Sequence, residues 1–345
     1  MKRIDLRVLS VALVLTAACA DTTAPLPAAT EVLLAVNSTA NTLSVVPVNA
    51  PGTGVAVPLG GISATATGVD ARNGIAIVPL GSDNSAAIVD LATQSVTHVT
   101  LPSNSGATGV AIVDDSIAYV ANPNLNSVTR INYITRDTAS VKVGVYPQSI
   151  TFTRGKVFVL NGNLDSTYAP AGASWISVID PVTNAVKDSI GLTGPGNAQF
   201  ATVGADGLLY VIQTGAFGSG NGILSIVDPV QKTELATFSG FGNAPGPVAA
   251  NGNDIFVASY SEGLMVFATD TRTVKRGAGS GIAIPSNASV ASDGNGLTYA
   301  ISSGPCSGGQ PGWAHLIRPD LTVGDSVSLG ECSVGAMISA IPPAP

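Results

Sequence analysis

The chain offers few residues of the types that enzymes use for catalysis. Only two of its 345 residues are histidines, His98 and His315, and both fall in outer strands of the repeated unit described below. A serine–histidine–aspartate site needs a base within hydrogen-bond reach of the nucleophile and a carboxylate that orients the base. No Gly-x-Ser-x-Gly motif is present to indicate one. The sequence therefore predicts no catalytic residue.

Two loops contain patterns that resemble ligand-binding motifs. Residues 215–222, GAFGSGNG, are rich in glycine but lack the lysine and the following helix of a phosphate site. Residues 161–167, NGNLDST, place oxygen ligands at alternate positions, as calcium loops do, but lack that motif's later glycine and glutamate. We expect an interstrand loop at the first and turn-forming side chains at the second, with calcium as the alternative there. No metal or cofactor is otherwise expected.

Three cysteines bear on location and stability. If Cys19 carries a lipid, the even remainder, Cys306 and Cys332, favours one disulfide in an exported protein. Their separation of 26 residues closes a loop worth about 3 to 4 kcal/mol in the chain-entropy model. A metal pair is the weaker interpretation, because no further cysteine or histidine lies nearby to complete a tetrahedral site.

The N-terminal segment has the pattern of an export signal. Lys2, Arg3 and Arg7 precede the apolar run 8–15, which is too short to span a bilayer. Small residues directly before Cys19 resemble a lipobox, so we predict a signal peptide over 1–18, lipidation at Cys19 and a Pro/Ala/Thr-rich tether over 19–30. Plain secretion after cleavage is the alternative.

Composition restricts the class of protein and of partner. Charged residues make up 11% of the chain, the formal net charge is −7, and there are 39 glycines and 22 prolines. These values favour a folded, loop-rich β-protein over a disordered one. They also argue against a nucleic-acid partner, because binding to phosphates needs clustered lysine and arginine side chains.

A repeat of about 42 to 49 residues organises the rest of the chain. Its clearest copy is 174–194, which alternates β-branched residues into the turn Asp180-Pro181-Val182-Thr183. Equivalent turn positions recur along the chain at Pro47, Asp90, Asn132, Asp180, Asp228, Asp270 and Pro319. Four of these positions are aspartates, whose carboxylates suit the hydrogen bonds of a turn. We therefore interpret Asp90, Asp180, Asp228 and Asp270 as structural and not as a ring of acidic ligands.

Each repeat contains four strands, and the first of them is rich in small residues. A sheet that is narrow at its first strand and wider outward suits radial packing about an axis, so the sequence predicts an all-β, seven-bladed β-propeller over 31–345. The first repeat lacks its small-residue strand, whereas 333–339 is left over at the other end. We expect this C-terminal strand to complete the first blade beside the strand that starts at Glu31, which would remove open sheet edges.

The repeat resembles the YVTN-type β-propeller family. The resemblance rests on residues 116–122, SIAYVAN, on Asn126-Ser127-Val128 and on a turn at the aspartate position, and it extends over nearly all of 31–340. It implies a seven-bladed propeller that is often exported, and it implies almost nothing about activity. The sequence departs from the family pattern at Tyr133-Ile134 and in the first blade.

Three blades are longer than the others, all between the second and third strands. These insertions, 161–174, 213–222 and 302–312, should share one face with the links between blades. Loops that carry aromatic residues above a rigid scaffold commonly form recognition sites. The candidate binding face comprises Asp165, Tyr168, Trp175, Phe217, Gln310 and Trp313. The alternative is that these are surface loops without a function.

These observations favour a monomeric lipoprotein of the cell envelope that binds a protein, peptide or glycan, or acts as a scaffold. The alternative is a propeller enzyme, such as a lactonase-like hydrolase or a quinoprotein-like dehydrogenase. Such enzymes need metal or cofactor ligands, and the chain has only two histidines and the glutamates Glu31, Glu234, Glu262 and Glu331. Surface display is a third interpretation. The residues that line the channel at the loop-rich end would discriminate between these functions.

Overall fold

β-strands account for about half of the chain, and the middle strands of each sheet are the most buried. The computed structural model describes residues 28–61 and 65–343. The predicted signal peptide, the lipidation site Cys19 and most of the tether lie outside these residues, so they remain predictions. Within the described residues no helix is long and apolar enough to cross a membrane.

The strands follow one another in chain order and form seven blades. Blade 1 takes β1 (Thr30–Asn37), β2 (Thr42–Pro47) and β3 (Val55–Pro58), and blade 2 takes β4 (Asp70–Arg72), β5 (Ile75–Leu80), β6 (Ser85–Asp90) and β7 (Val96–Thr100). Blade 3 contains β8 (Val110–Ile112), β9 (Ile117–Asn122), β10 (Ser127–Asn132) and β11 (Thr138–Lys142). Blade 4 contains β12 (Pro147–Thr153), β13 (Lys156–Asn161), β14 (Trp175–Asp180) and β15 (Ala185–Gly191).

The remaining blades repeat the same order. Blade 5 contains β16 (Ala198–Val203), β17 (Leu209–Gln213), β18 (Ile223–Asp228) and β19 (Thr233–Phe238). Blade 6 contains β20 (Pro245–Asn251), β21 (Asp254–Ser259), β22 (Gly263–Ala268) and β23 (Thr273–Arg276). Blade 7 contains β24 (Asn287–Ser292), β25 (Thr298–Ser302), β26 (Pro311–Ile317) and β27 (Val323–Glu331), and β28 (Ser333–Ile341) follows. Single turns of 3₁₀ helix occur at Pro51–Thr53, Gly81–Asp83 and Pro123–Leu125.

The C-terminal strand closes the ring as the sequence predicts. The first sheet has the order β28-β1-β2-β3, so its innermost strand comes from the opposite end of the chain. β28 runs antiparallel to β1, with Glu31 opposite Ala340 and Leu34 opposite Met337. The seven-bladed propeller of four-stranded antiparallel sheets is therefore confirmed. Pairing with β28 gives blade 1 its fourth strand and covers the edge of β1 that would otherwise be open.

The hydrophobic core is divided into seven layers, one between each pair of neighbouring blades. In β13, Val157 and Val159 pack toward blade 3, whereas Phe158 and Leu160 pack toward blade 5. Successive side chains of a strand point to opposite faces of the sheet. Both faces of β13 are thus apolar, which explains why the central residues of KVFVLN show no alternation of polar and apolar side chains.

The repeated aspartates hold the turns between the third and fourth strands. Asp90 Oδ1 accepts hydrogen bonds from the backbone N–H groups of Ala92 and Thr93, at 3.0 and 2.9 Å. Asp228 Oδ1 does the same for Val230, at 2.7 Å. These carboxylates belong to local turns, as the sequence indicates, and they do not converge on one site.

A buried amide ends the second strand in four blades, at Asn37, Asn122, Asn161 and Gln213. Asn37 Nδ2 donates to the hydroxyls of Thr42 and Ser44, both at 2.9 Å, and so ties together the second and third strands. Its Oδ1 accepts from Ser333 Oγ at 2.7 Å and from the N–H of Gly330 at 3.1 Å. In blade 1 this amide therefore also fastens the closing strand.

Candidate functional site

The two faces of the ring differ in what they carry. We call the face with the links between blades the loop side and the opposite face, with the aspartate turns, the turn side. The three insertions lie on the loop side, because their ends bond to the links: Gly162 N–H donates to Tyr146 O at 3.0 Å, and Ser303 N–H donates to Ser286 O at 3.0 Å. This agrees with the placement expected from an antiparallel blade.

A channel of about 930 Å³ runs along the axis, lined by the innermost strands of all seven blades. Small and polar side chains such as those of Thr108, Ser149 and Ala201 make up much of its wall. The charged residues among the described lining are Asp70, Arg72 and Asp293. Arg72 ends β4 and Asp293 follows β24, both at the turn side, and Asp70 lies two residues before Arg72. The loop-side half of the described lining is therefore uncharged.

In several blades a β-bulge in the innermost strand changes the direction of the side chains near the loop-side end of the channel. The register of the innermost strand shifts between its first and third residues in blades 4, 5 and 7, and at the corresponding place in blades 1 and 6. The extra residue in blades 4 and 5 is Gln148 or Gln199. Bulges often occur beside functional sites, where they redirect a side chain.

Each of the two glutamines uses one end of its side-chain amide for a hydrogen bond to the scaffold. Gln148 Nε2 donates to Asn197 Oδ1 at 2.7 Å, in the link that enters blade 5. Gln199 Oε1 accepts from Thr214 Oγ1 at 3.1 Å, and the same hydroxyl lies 3.0 Å from the carbonyl oxygen of Pro245 in blade 6. Gln148 Oε1 and Gln199 Nε2 have no partner among the described residues, and both side chains line the channel. One acceptor and one donor are thus open at this end.

Aromatic residues occur in the segments that contact the glutamines. Tyr146, two residues before Gln148, meets Tyr168 edge to face with ring centroids 5.7 Å apart. Burial, followed by the neighbouring Tyr168, raises the pKa of Tyr146. Tyr168 is 66% exposed and Phe217 is 90% exposed. The loop of Phe217 is fixed from blade 6, because Gly218 N–H donates to Asn243 Oδ1 at 2.7 Å.

We call this arc the mouth site, defined by Tyr146, Gln148, Tyr168, Gln199, Thr214 and Phe217. Its members come from the innermost strands, the link and the loops of blades 4 and 5. Gly162 lies directly against the Gln148 amide, where any β-carbon would collide with Nε2, so the close approach of loop and glutamine requires glycine.

The predicted binding residues of blade 4 serve different roles. The carboxylate of Asp165 accepts from the N–H and hydroxyl of Thr167, both at 2.7 Å, and these bonds lower its pKa. It is therefore engaged in its own turn, as the turn interpretation of this loop predicts. A β-carbon at Gly144 would lie 2.5 Å from the Trp175 ring, so this half-buried indole packs over the link that enters blade 4. Tyr168 belongs to the mouth site.

The predicted residues of blade 7 lie apart from that arc. Gln310 is exposed in the loop that holds Cys306, and Trp313, 40% exposed, stands on β26 opposite Ser302 and Ser328. No contact joins either residue to the mouth site within the described residues. The disulfide between Cys306 and Cys332 is present, with a Cα–Cα distance of 4.4 Å. This confirms the predicted pairing and ties the blade 7 loop to the start of β28.

The histidines lie in outer strands of their blades. His98 is on β7, the outermost strand of blade 2, and its Nε2 is 2.8 Å from the carbonyl oxygen of Leu59. His315 is on β26, with Nδ1 2.7 Å from Ser326 Oγ, and burial lowers its pKa. Neither lines the channel. In the part of the chain that the structure describes, no three side chains of His, Cys, Asp or Glu form a metal-type cluster.

Asp70 is the channel carboxylate with the most perturbed chemistry. Burial raises its pKa to about 6, against two backbone hydrogen bonds that lower it. Those bonds come from the N–H of Ile112 to Oδ2, at 2.6 Å, and from the N–H of Ala71 to Oδ1, at 2.9 Å. Because Ile112 belongs to blade 3, the carboxylate joins two innermost strands that share no sheet. Asp70 therefore has a scaffold role that accounts for its position.

A shallower depression of about 460 Å³ lies next to blade 6. Tyr260, which is 58% exposed, stands at its edge, and hydrogen bonds from Ser286 and Ser303 lower the pKa of its phenol. The Glu262 carboxylate in its wall accepts from the N–H of Gly279 at 3.0 Å. Backbone groups thus already occupy this carboxylate.

The sequence interpretation missed Gln148, Gln199 and Tyr146. A signal for the glutamines was present: aligned small-residue strands have Gly68, Gly109 and Gly246 where these two strands have glutamine. A long polar side chain at a position where the aligned strands have glycine indicates that an amide group is needed at that place. Tyr146 carried no such signal, because its site is formed by contact with the Tyr168 loop.

Comparisons with solved structures place the fold among known propellers. The chain is similar to Kuenenia stuttgartiensis hydrazine synthase (TM-score 0.61, 16% identity, covering 77% of this chain and 89% of that one). It is also similar to virginiamycin B lyase from Staphylococcus aureus (TM-score 0.61, 16% identity, 76% and 84% covered) and to a streptogramin B lyase (TM-score 0.60, 12% identity, 79% and 94% covered). No family model matches the chain, and no curated protein does. At these identities the likeness establishes the propeller fold alone.

Proposed function

We propose that this protein is an exported binding module whose ligand site is the mouth site. The observation that carries the proposal is the pair of open amide groups on Gln148 and Gln199 at an uncharged channel end, with exposed aromatic rings on the loops that contact these glutamines. Concave sites with a few convergent polar groups and aromatic walls are typical of ligand recognition. The ligand is a protein, peptide or glycan of the cell envelope.

The proposal also includes export of the protein and its attachment to a membrane through a lipid at Cys19. The disulfide is the form expected outside the reducing cytoplasm, and the pattern before Cys19 favours a lipid anchor. β1 begins on the turn side, where Val48 N–H donates to Glu31 O at 3.0 Å. A tether attached there leaves from the face opposite the mouth site. An anchored molecule would then present the mouth site away from the membrane.

The enzyme alternative has less support. One solved variant of the virginiamycin B lyase is described as catalytically inactive after replacement of a single histidine, whereas neither histidine of this chain lines the channel. Asp70 is engaged by two backbone N–H groups. General acid–base catalysis needs a group free to exchange a proton with substrate.

Ligand-induced stabilisation tests the proposal. A ligand at 100 times its Kd raises the free energy of unfolding by about 2.7 kcal/mol, so thermal shifts measured against neutral and acidic oligosaccharides and short peptides should identify binders. Tyr168→Ala and Gln199→Ala should each reduce this stabilisation to about half, as a roughly tenfold weaker affinity does at the same ligand concentration. Val182→Ala, on a turn-side residue that is 92% exposed, is the matched control. Shifts that both mouth variants leave unchanged, or turnover of the test compounds, would contradict the proposal.

A further inference from the structure

The charge distribution of the channel restricts the chemistry of a ligand at the mouth site. In the described lining the ionic groups are Asp70, Arg72 and Asp293, none of which lies at the loop-side end of an innermost strand beside Gln148 and Gln199. At the mouth site itself the polar groups are amides and hydroxyls. A charged ligand group placed there would lose its hydration without gaining a partner of opposite charge, which is unfavourable. The mouth site therefore suits an uncharged ligand.

The open groups of the two glutamines restrict it further. As the amides are oriented by their bonds to Asn197 and Thr214, Gln148 presents an acceptor and Gln199 presents a donor. A hydroxyl group both donates and accepts, so hydroxyl groups can satisfy both open atoms.

The aromatic rings complete the pattern. Tyr168 offers an exposed ring that the edge-to-face contact with Tyr146 holds in place, and Phe217 offers a second apolar surface on the next blade. Rigid aromatic side chains supply contact area at low conformational cost. A sugar ring has an apolar C–H face and an edge of hydroxyls, and it matches this combination of flat apolar surface and amide groups.

We propose, resting on the proposed function, that the ligand of the mouth site is a neutral carbohydrate. A pyranose ring lies against the Tyr168 ring, and its hydroxyls bond to Gln148 Oε1 and Gln199 Nε2. A peptide would find hydrogen bonds at the amides and along the innermost strands, which are edge strands of their sheets. The open side-chain groups, however, number one donor and one acceptor on different blades, which suits a compact ring with hydroxyl groups.

Titration calorimetry on the full chain tests this inference with defined probes. The probes are the neutral cellohexaose, maltohexaose and chitohexaose, the acidic hexagalacturonate, and an uncharged alanine–serine hexapeptide. We expect at least one neutral hexasaccharide to bind, with about tenfold weaker affinity for Gln199→Ala and for Tyr168→Ala. Tyr168→Phe keeps the ring and should bind within about twofold of wild type. Val182→Ala should bind as wild type does.

The outcomes separate this inference from the proposed function. Peptide binding that Gln199→Ala weakens, without saccharide binding, would overturn the carbohydrate assignment and leave a binding module at the mouth site. Preference for hexagalacturonate would also overturn it. Absence of any binding, or binding that no mouth variant changes, would overturn both proposals. Circular dichroism melting of each variant confirms folding, and the exposed Tyr168 supplies a variant that leaves the contacts between blades intact.

Discussion

Removal of the disulfide should weaken the closure of the ring by a calculable amount. Cys306 and Cys332 are 26 residues apart, and the chain-entropy relation gives about 3.5 kcal/mol at 25 °C for a loop of that size. For a chain of this length that corresponds to a fall of about 5 °C in Tm. We therefore expect the Cys306→Ser/Cys332→Ser double variant to lose about 3.5 kcal/mol in the free energy of unfolding.

The location of the bond predicts where the loss first shows. Cys332 immediately precedes β28, and its carbonyl oxygen accepts from Ser38 N–H at 2.8 Å. Without the disulfide, hydrogen bonds alone hold the start of the closing strand. Amide hydrogen exchange in β28 and β1 should accelerate, whereas exchange in β12 and β13 on the other side of the ring should change less.

Urea unfolding and hydrogen-exchange mass spectrometry together measure both effects. Wild-type protein treated with reductant is the control, since it loses the same bond without a substitution and should match the double variant. A double variant within about 1 kcal/mol of wild type, with unchanged exchange in β28, would refute the reasoning. Equal acceleration in every blade would refute the localised part of it.

Three further changes test the scaffold. Burial raises the pKa of Asp70 from 3.8 to about 6 in the folded state, so its protonated form adds stability below pH 4 that is lost as pH rises through 6. Asp70→Asn should remove up to about 3 kcal/mol of that pH dependence from the free energy of unfolding. Parallel wild-type and variant curves of unfolding free energy against pH would contradict this. Asn37→Ala should lower the free energy of unfolding by about 2 to 4 kcal/mol, because the four groups that bond to this buried amide lose their partner. Asn122→Ala should cost less in the same urea titration, because its Oδ1 is already unpaired; equal costs would argue against the closure role of Asn37. Deletion of 333–345 should leave β1 as an open edge and give dimers or aggregates in light scattering, and a stable monomer would count against the closure.

The repeat made much of the architecture predictable. Four-stranded units, their number and the closing role of 333–339 follow from periodicity, because each unit must bury its faces against copies of itself. Pairing of Cys306 with Cys332 was predicted because two cysteines remain if Cys19 carries a lipid, and an even number favours a disulfide in a chain that is expected to be exported. The loop side was predictable as well, since an antiparallel blade alternates its connections between two faces.

The site itself depended on the tertiary structure. Bulges placed Gln148 and Gln199 at the mouth, and the link at Tyr146 met the insertion at Tyr168 although 22 residues separate them in sequence. The same packing set Trp313 apart from the other candidates. Periodicity determines which strands pair within a blade, but the contacts between one blade's loop and the next blade's link depend on how neighbouring blades are rotated and packed. The sequence therefore determined the ring, and only the packed structure decided which side chains meet at its mouth.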